Sequence, residues 1–264
     1  KKGGNAKLEF LQIEKQNKVA TIKLNRAPAN ALSTGVIAEI DKALDQIEND
    51  NSVKAIVVLG EGRFFSAGAD IKEFTEVTDE KGFAELGKKG QDVFNRIEQF
   101  SKPVIAAIHG AALGGGLELA MSCHIRLVAD DAKLGLPELT LGLVPGFAGT
   151  QRLPQLVGVP KACEMLLSSK PISGKDAVTY GLANSSYPTE ELFEKAYKMA
   201  EEFSMKSAVS IKYTLELLNY ARHGLYEKGA EKEQELFGKA FKSFDGQEGI
   251  SAFIEKRKPE FQDR

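Results

Sequence analysis

The spacing of apolar residues changes period twice in the first quarter of the chain. Leu8, Phe10 and Ile13, followed by Val19 to Leu24, read as two strands of a hairpin turning at Gln16-Asn17-Lys18, because apolar runs split by a short polar segment favour that arrangement. The spacing then becomes three and four. Val36, Ile37, Ile40, Leu44 and Ile47 fall on one helical face, with Ser33 or Thr34 as the N-cap. Val53 to Leu59 is apolar at odd and even positions alike, the pattern of a strand covered on both faces. A glycine loop from Gly60 to Ala69, a helix from about Glu80 to Phe100, and a strand from Val104 to Ile108 follow. A helix from Gly116 to Ser122 and a strand from Ile125 to Ala129 repeat the theme. Strands alternating with helices predict an α/β protein of stacked units.

Beyond Pro188 the helical period takes over. Thr189 to Met205, Ala208 to Tyr220, Glu227 to Phe244 and Glu248 to Lys258 read as helices, with Pro259 as a stop. The predicted division is a core over residues 1–190 and a helical region over 191–264. Helices without a core of their own pack on the parent domain or on another copy, so self-association is predicted.

The most apolar stretch, Pro103 to Met121, has the length of a membrane span, about 20 residues. Gly110, Gly114, Gly115 and Gly116 interrupt it, and His109 and Glu118 lie within it. It reads instead as a buried strand, a glycine turn and a buried helix, with no membrane partner.

Composition narrows the function classes. Lys and Arg number 35 and Asp and Glu 37, a formal net charge of −2. That balance predicts no nucleic-acid partner and no anionic-membrane partner. Hydrophobic residues at 42% and charged residues at 27% describe a folded chain rather than a disordered one. Two cysteines, Cys123 and Cys163, exclude a disulfide framework and read as inert buried residues. The opening Lys1-Lys2-Gly3-Gly4-Asn5 has no apolar leader, and its lack of Met suggests a processed or artificial start. The expected setting is the reducing cytoplasm. His109, His124 and His223 show no ligand spacing, so no metal is predicted.

Two glycine-rich loops carry the candidate chemistry. One is Phe64-Phe65-Ser66-Ala67-Gly68-Ala69-Asp70-Ile71-Lys72; the other runs from His109 through Gly114-Gly115-Gly116 to Leu119. Glycine at a strand-to-helix junction lets backbone N–H groups approach a ligand. Two such groups converging would form an oxyanion hole. The plainer alternative is that the glycines only allow strand and helix to pack closely. Neither loop has the spacing of a phosphate cradle. Glu118 and Glu138 each lie among apolar neighbours, where a carboxyl tends to hold its proton. Sharing a dry site, they could divide acid and base roles. Alternatively, each caps a helix or meets Arg152 or Arg126.

These stretches resemble, in order, the motifs of the crotonase (enoyl-CoA hydratase/isomerase) family. Phe65 to Glu73 is similar to the first signature and Ala112 to Ala120 to the second. Gly135-Leu136-Pro137-Glu138, Gly142, Val144-Pro145-Gly146 and Gly149 to Leu153 resemble the third, and Ala252 to Arg257 the family's C-terminus. The resemblance implies a crotonase-like spiral of ββα units with a C-terminal helical trimerisation region. It implies an acyl-CoA thioester as substrate, no cofactor beyond that CoA, and a trimer or dimer of trimers. By matching position, Ala69 and Gly115 would supply the oxyanion-hole amides, and Glu118 and Glu138 the catalytic pair. Glu118 would activate water, Glu138 would protonate C2, and Gly146 would help hold the water. Ala67, Gly68, Asp70, Ile71 and Lys72 would line the CoA channel, with Phe253 and Lys256 reaching a CoA site, in a neighbouring subunit. The implied activity is hydration of trans-2-enoyl-CoA in fatty-acid β-oxidation. The alternatives are a Δ3-Δ2-enoyl-CoA isomerase or a non-catalytic acyl-CoA- or RNA-binding scaffold. Two departures stand out. The loop Asn25 to Leu32 is one residue short of the common form. Phe147-Ala148 replaces smaller residues, which would change how close a substrate comes to Gly146.

Overall fold

The computed structural model of the chain describes residues 8–264. The opening Lys1 to Asn5, and the lack of a leader read from it, lie outside the described residues. Strands β1 (Leu11–Gln16) and β2 (Val19–Leu24) form the predicted hairpin. Its turn is tighter than expected: Gln16 pairs with Val19, and only Asn17 and Lys18 turn, at φ 49° and 65°. Two successive left-handed residues match the twist of the flanking strands. Helix α1 (Thr34–Glu48) begins at Ser33, whose hydroxyl accepts the Val36 N–H at 3.2 Å. Its apolar stripe, Val36 to Ile47, is buried as the spacing requires.

Strand β3 (Ala55–Gly60) lies parallel to β2. After helices α2 (Ile71–Phe74) and α3 (Glu80–Glu98), strand β4 (Val104–Ile108) lies parallel to β3. The apolar stretch then divides into strand β5 (Ala111–Leu113), helix α4 (Gly115–Ser122) and strand β6 (Ile125–Ala129). Strand β5 is absent from the pattern reading because three residues are too few to show a period. Strand β7 (Lys133–Gly135), a 3-10 turn (Glu138–Leu141) and helices α5 (Gly149–Val157) and α6 (Val159–Ser168) follow. Strand β8 (Ile172–Ser173), helix α7 (Gly174–Thr179) and strand β9 (Ser185–Tyr187) come next. One sheet has the order β1-β2-β3-β4-β6-β9, parallel except for its first pair; the other has the order β5-β7-β8. The chain steps from the first sheet to the second at β4–β5 and again at β6–β7, and each step leads into helix. This ββα recurrence brings the C-terminal ends of the strands, and the loops that follow them, to one side.

Helix α8 (Thr189–Ser204) sets Leu192, Ala196 and Ala200 into the core. Helix α9 (Ala208–Arg222) buries none of its residues, and α10 (Tyr226–Lys242) buries only Leu236. Helix α11 (Phe244–Glu255) starts earlier than expected because Ser243 caps it, accepting the Gly246 N–H at 2.9 Å. It ends at Lys256, in the left-handed conformation, before Pro259 is reached. These helices leave Phe237, Phe241, Phe253 and Ile254 exposed. Cys123 is buried as expected, and its thiol is pushed up to about 12 by burial. Cys163 is exposed, a correction: it lies on the outer side of α6, where three-residue spacing does not place it inward. Among the described residues no helix is long and apolar enough to cross a membrane.

Ile56 is fully buried on β3, in register with Ala20 and Val104. Ile56→Ala should lower stability by roughly 2–5 kcal/mol. Urea unfolding should show this as a lower midpoint at unchanged slope.

Candidate active site

The loop after β3 is stitched to strand β5. The Ser66 N–H donates to Ala111 O at 3.1 Å, and the Leu113 N–H to Ser66 O at 3.0 Å. On its other side the loop is pinned to residues 29–32. Ala67 N–H donates to Ala29 O at 2.9 Å, Leu32 N–H to Gly68 O at 2.8 Å, and Asp70 N–H to Leu32 O at 3.1 Å. Asn30 Nδ2 reinforces the clamp by donating to Glu61 O and Phe64 O, at 2.9 and 2.8 Å. Because Gly68 O faces Leu32, the Ala69 N–H on the same trans peptide points the opposite way.

It faces Gly115. A Cβ on Gly115 would lie 3.4 Å from the Ala69 nitrogen. Gly115 opens α4, so its N–H is one of those a helix leaves without an internal partner. Gly114 makes the sharp entry, with φ 52° and ψ −126°, a region open almost only to glycine. Two N–H donors thus meet at one place, as an oxyanion hole requires.

The carboxyl groups lie beside them. Glu118, one turn into α4, is 1% exposed. Its Oε1 accepts the Phe147 N–H at 2.9 Å and the Gly149 N–H at 2.7 Å. Those donors flank Ala148, which is left-handed at φ 69° and caps α5. Amides on either side of a left-handed residue form a concave anion site, and a helix N-terminus adds positive potential. Gly149 is needed for closeness: a Cβ there would be 2.8 Å from Glu118 Oε1. Burial, and the charge of Glu138, nonetheless push the Glu118 carboxyl up to about 7, against the pull of the two amides. Glu138 opens the 3-10 turn, and burial raises its carboxyl too. Its Oε1 lies against Gly114, and its buried Oε2 has no hydrogen-bond partner among the described residues.

Glu118 does meet a helix start, through the Gly149 N–H that opens α5, but neither acid pairs with an arginine. Arg152 pairs with Glu98 at 2.6 Å, and Arg126 is bound to the carbonyls of Cys123 and Leu182, at 2.5 and 2.8 Å. Instead Glu118 and Glu138 line one cavity of about 760 Å³. Ala67, Gly68, Ala69, Ile71, Gly115 and Gly146 share its wall, as do Phe74, Phe83, Leu86 and Val144. Asp70 stands outside that wall: it pairs with Arg26 at 2.5 Å and caps α2 by accepting the Lys72 N–H at 3.1 Å. Lys72, exposed Phe253 and Lys256 also stand outside it. Gly146 O accepts from Gln91 Nε2 at 2.9 Å. The Phe147 ring is only 8% exposed, packed edge-to-face on Phe94 and into space that Gly90 leaves free, so the core absorbs most of its bulk. Phe147 and Gly149 as donors to Glu118, and the Asn30 clamp, do not follow from the sequence motifs. The one available signal was Gly149, a glycine at a helix start close to a buried acid.

The sequence profile described as Enoyl-CoA hydratase/isomerase matches residues 14–264. A Bacillus subtilis (strain 168) protein described as "Probable enoyl-CoA hydratase" is 54% identical over 92% of this chain and 95% of its own length. A "Short-chain-enoyl-CoA hydratase" of Clostridium acetobutylicum is 40% identical over 94% of this chain and 95% of its own. The crystal structure of an enoyl-CoA hydratase from Bacillus anthracis superposes with a TM-score of 0.92, at 34% identity, covering 97% of this chain and all of that one.

A carboxyl raised on folding favours the protonated folded state, so Glu118 contributes most stability below its unfolded value of 4.5. That contribution is lost as pH rises to about 7. The loss amounts to about 3 kcal/mol. Glu118→Gln carries no ionisable group there. Thermal melts should show it gaining stability relative to the unsubstituted protein between pH 5 and pH 8; a difference that does not vary with pH would contradict the raised carboxyl.

Proposed function

This chain belongs to the enoyl-CoA hydratase/isomerase family, and we propose that the paired carboxyls and facing amides described above carry out its reaction. The activity is that of a hydro-lyase with the crotonase fold: water adds reversibly across the double bond of a trans-2-enoyl-CoA to give a 3-hydroxyacyl-CoA. The carrying observation is that two acids raised by burial line one cavity together with Ala69 and Gly115, whose amides the fold leaves facing each other.

The thioester oxygen takes the Ala69 and Gly115 N–H groups. Water attacks C3 and gives a proton to ionised Glu118. The alkene electron pair moves onto the thioester oxygen as an enolate, which the two amides stabilise; one donor of that kind contributes about 3 kcal/mol. The enolate collapses and C2 takes the proton of Glu138. One proton therefore leaves Glu138 as another arrives on Glu118, and exchange with water resets the pair. The role of each acid follows its partners. Two amides on Glu118 favour its ionised form, whereas the unpartnered Oε2 of Glu138 is free to carry a proton, and a protonated Glu138 no longer opposes the charge on Glu118. Gly146 borders the water position. A single-acid double-bond shift would leave the second carboxyl without a task.

Ala67 to Lys72 would border the CoA channel, with Lys72 near the phosphates. The acyl chain would run along Phe74, Phe83 and Leu86. Phe253 and Lys256 would reach the CoA of a neighbouring subunit in a trimer or dimer of trimers. The exposed Phe237, Phe241, Phe253 and Ile254 support that association. No cofactor beyond the CoA of the substrate is required. A place in β-oxidation in a reducing compartment fits these features.

Crotonyl-CoA should lose its conjugated absorbance on mixing with the protein, and heavy-oxygen water should label the product. Glu138→Gln should slow the reaction by about 10²–10⁴-fold. Full activity in the double Glu118→Gln, Glu138→Gln variant would refute the assignment. Light scattering should give a mass that is a multiple of three chains; a stable monomer at micromolar concentration would remove the trimer.

A further inference from the structure

We propose that Arg152 is a positioning residue for Glu118 and that Glu98 holds Arg152 in place, a role that rests on the hydration reading above. Arg152, on α5, is 5% exposed and uses three edges of its guanidinium. Nε donates to Glu98 Oε2 at 2.6 Å, Nη2 to Asn95 Oδ1 at 2.6 Å, and Nη1 to Phe147 O at 2.8 Å. The last contact grips the peptide plane joining Phe147 to Ala148. The planes on either side of it carry the Phe147 and Gly149 N–H groups that meet Glu118 Oε1. Fixing the middle plane fixes the aim of both donors. A planar fork can hold three acceptors at once; an ammonium on a flexible stem cannot hold the same geometry.

Glu98 extends the chain of contacts outward. Burial opposes its charge, yet the Arg152 hydrogen bond and the Arg222 charge hold it below the usual carboxylate range. Its Oε1 lies 3.2 Å from Arg222 Nη1 on α9 and 3.7 Å from His223 Nε2. The C-terminal helical region is thereby tied, through Glu98, Arg152 and Phe147, to the water-activating acid. Stability alone does not explain such a group, since a buried ion pair roughly breaks even against apolar packing. Orientation does. The charged and titratable groups around Arg152 and Glu98 are Glu118 from α4, Cys123 and His124 just after it, and Arg222 and His223 at the end of α9, and Glu138 faces Glu118 from the 3-10 turn.

The test compares Arg152→Lys, Arg152→Gln and Glu98→Gln with the unsubstituted protein in crotonyl-CoA hydration across pH. Arg152→Lys keeps the charge but loses the fork, so kcat should fall about 10²-fold with KM little changed. Arg152→Gln removes a cation that favours ionised Glu118, so the acid limb of kcat/KM should move to higher pH. Glu98→Gln, which is isosteric, leaves that cation uncompensated, so the limb should move to lower pH. Opposite shifts from the two partners of one ion pair are not produced by loosened packing. Arg126→Lys, at a buried arginine bound to Leu182 O and to carbonyls at the far end of α4 but not to the Phe147 peptide, should lower the melting temperature and leave the limb in place. If Arg152→Gln does not fold, the kcat of Arg152→Lys and the limb of Glu98→Gln decide the matter. Folded Arg152 and Glu98 variants with unaltered kcat, or with limbs that stay put or move together, would overturn the proposal. If Glu118→Gln is still inactive in that case, the hydration reading stands. Absence of hydration by the unsubstituted protein would remove both.

Discussion

A carboxylate taken almost wholly out of water needs either donors or a proton, and Glu118 is placed where both are available. Two backbone amides favour its charge, while burial and the neighbouring Glu138 oppose it. The balance leaves a carboxyl that can change state near neutral pH, which suits a group that must take a proton and give it back. Neither influence alone would serve. Amides alone would make it too weak a base, and burial alone would keep it protonated throughout the working range.

The fold builds this balance from loops that are held on both sides. The first glycine loop is a short extended piece bonded to residues 29–32 on one edge and to β5 on the other. That double attachment turns the Ala69 amide toward the start of α4. Strand β7 brings the 3-10 turn beside Gly114, where Gly114 N–H donates to Gly135 O at 2.9 Å, and so delivers Glu138 to the same cavity. The second sheet has only short strands, and its service is positional: it carries the turn, the helix start and the second acid to one place.

Elements with a full period were legible in the sequence. The hairpin, α1, β3, α3 and β4 follow from where Val, Ile and Leu recur. Strands β5, β7 and β8 were not, because two or three residues show no period and their pairing is decided by distant partners. The acids and glycines of the site stood out because a Glu among Leu and Met residues is costly unless used. Asn30, Phe147 and Gly149 did not, since a backbone donor leaves no trace in side-chain chemistry. Glu98 reads in sequence as one more polar residue near the end of a helix, and only the packing of α3 against α5 and α9 shows it paired at depth. Cys163 shows the reverse failure: spacing could not tell which side of α6 faces water.

Glu118 is a buried acid poised to exchange a proton near neutrality. Infrared difference spectra across pH, with the Glu118→Gln protein as the reference, observe that carboxyl directly. A protonated carboxyl band present at pH 5 and lost around pH 7 is the predicted result. A Glu118 already fully ionised at pH 5 would contradict a carboxyl raised by burial.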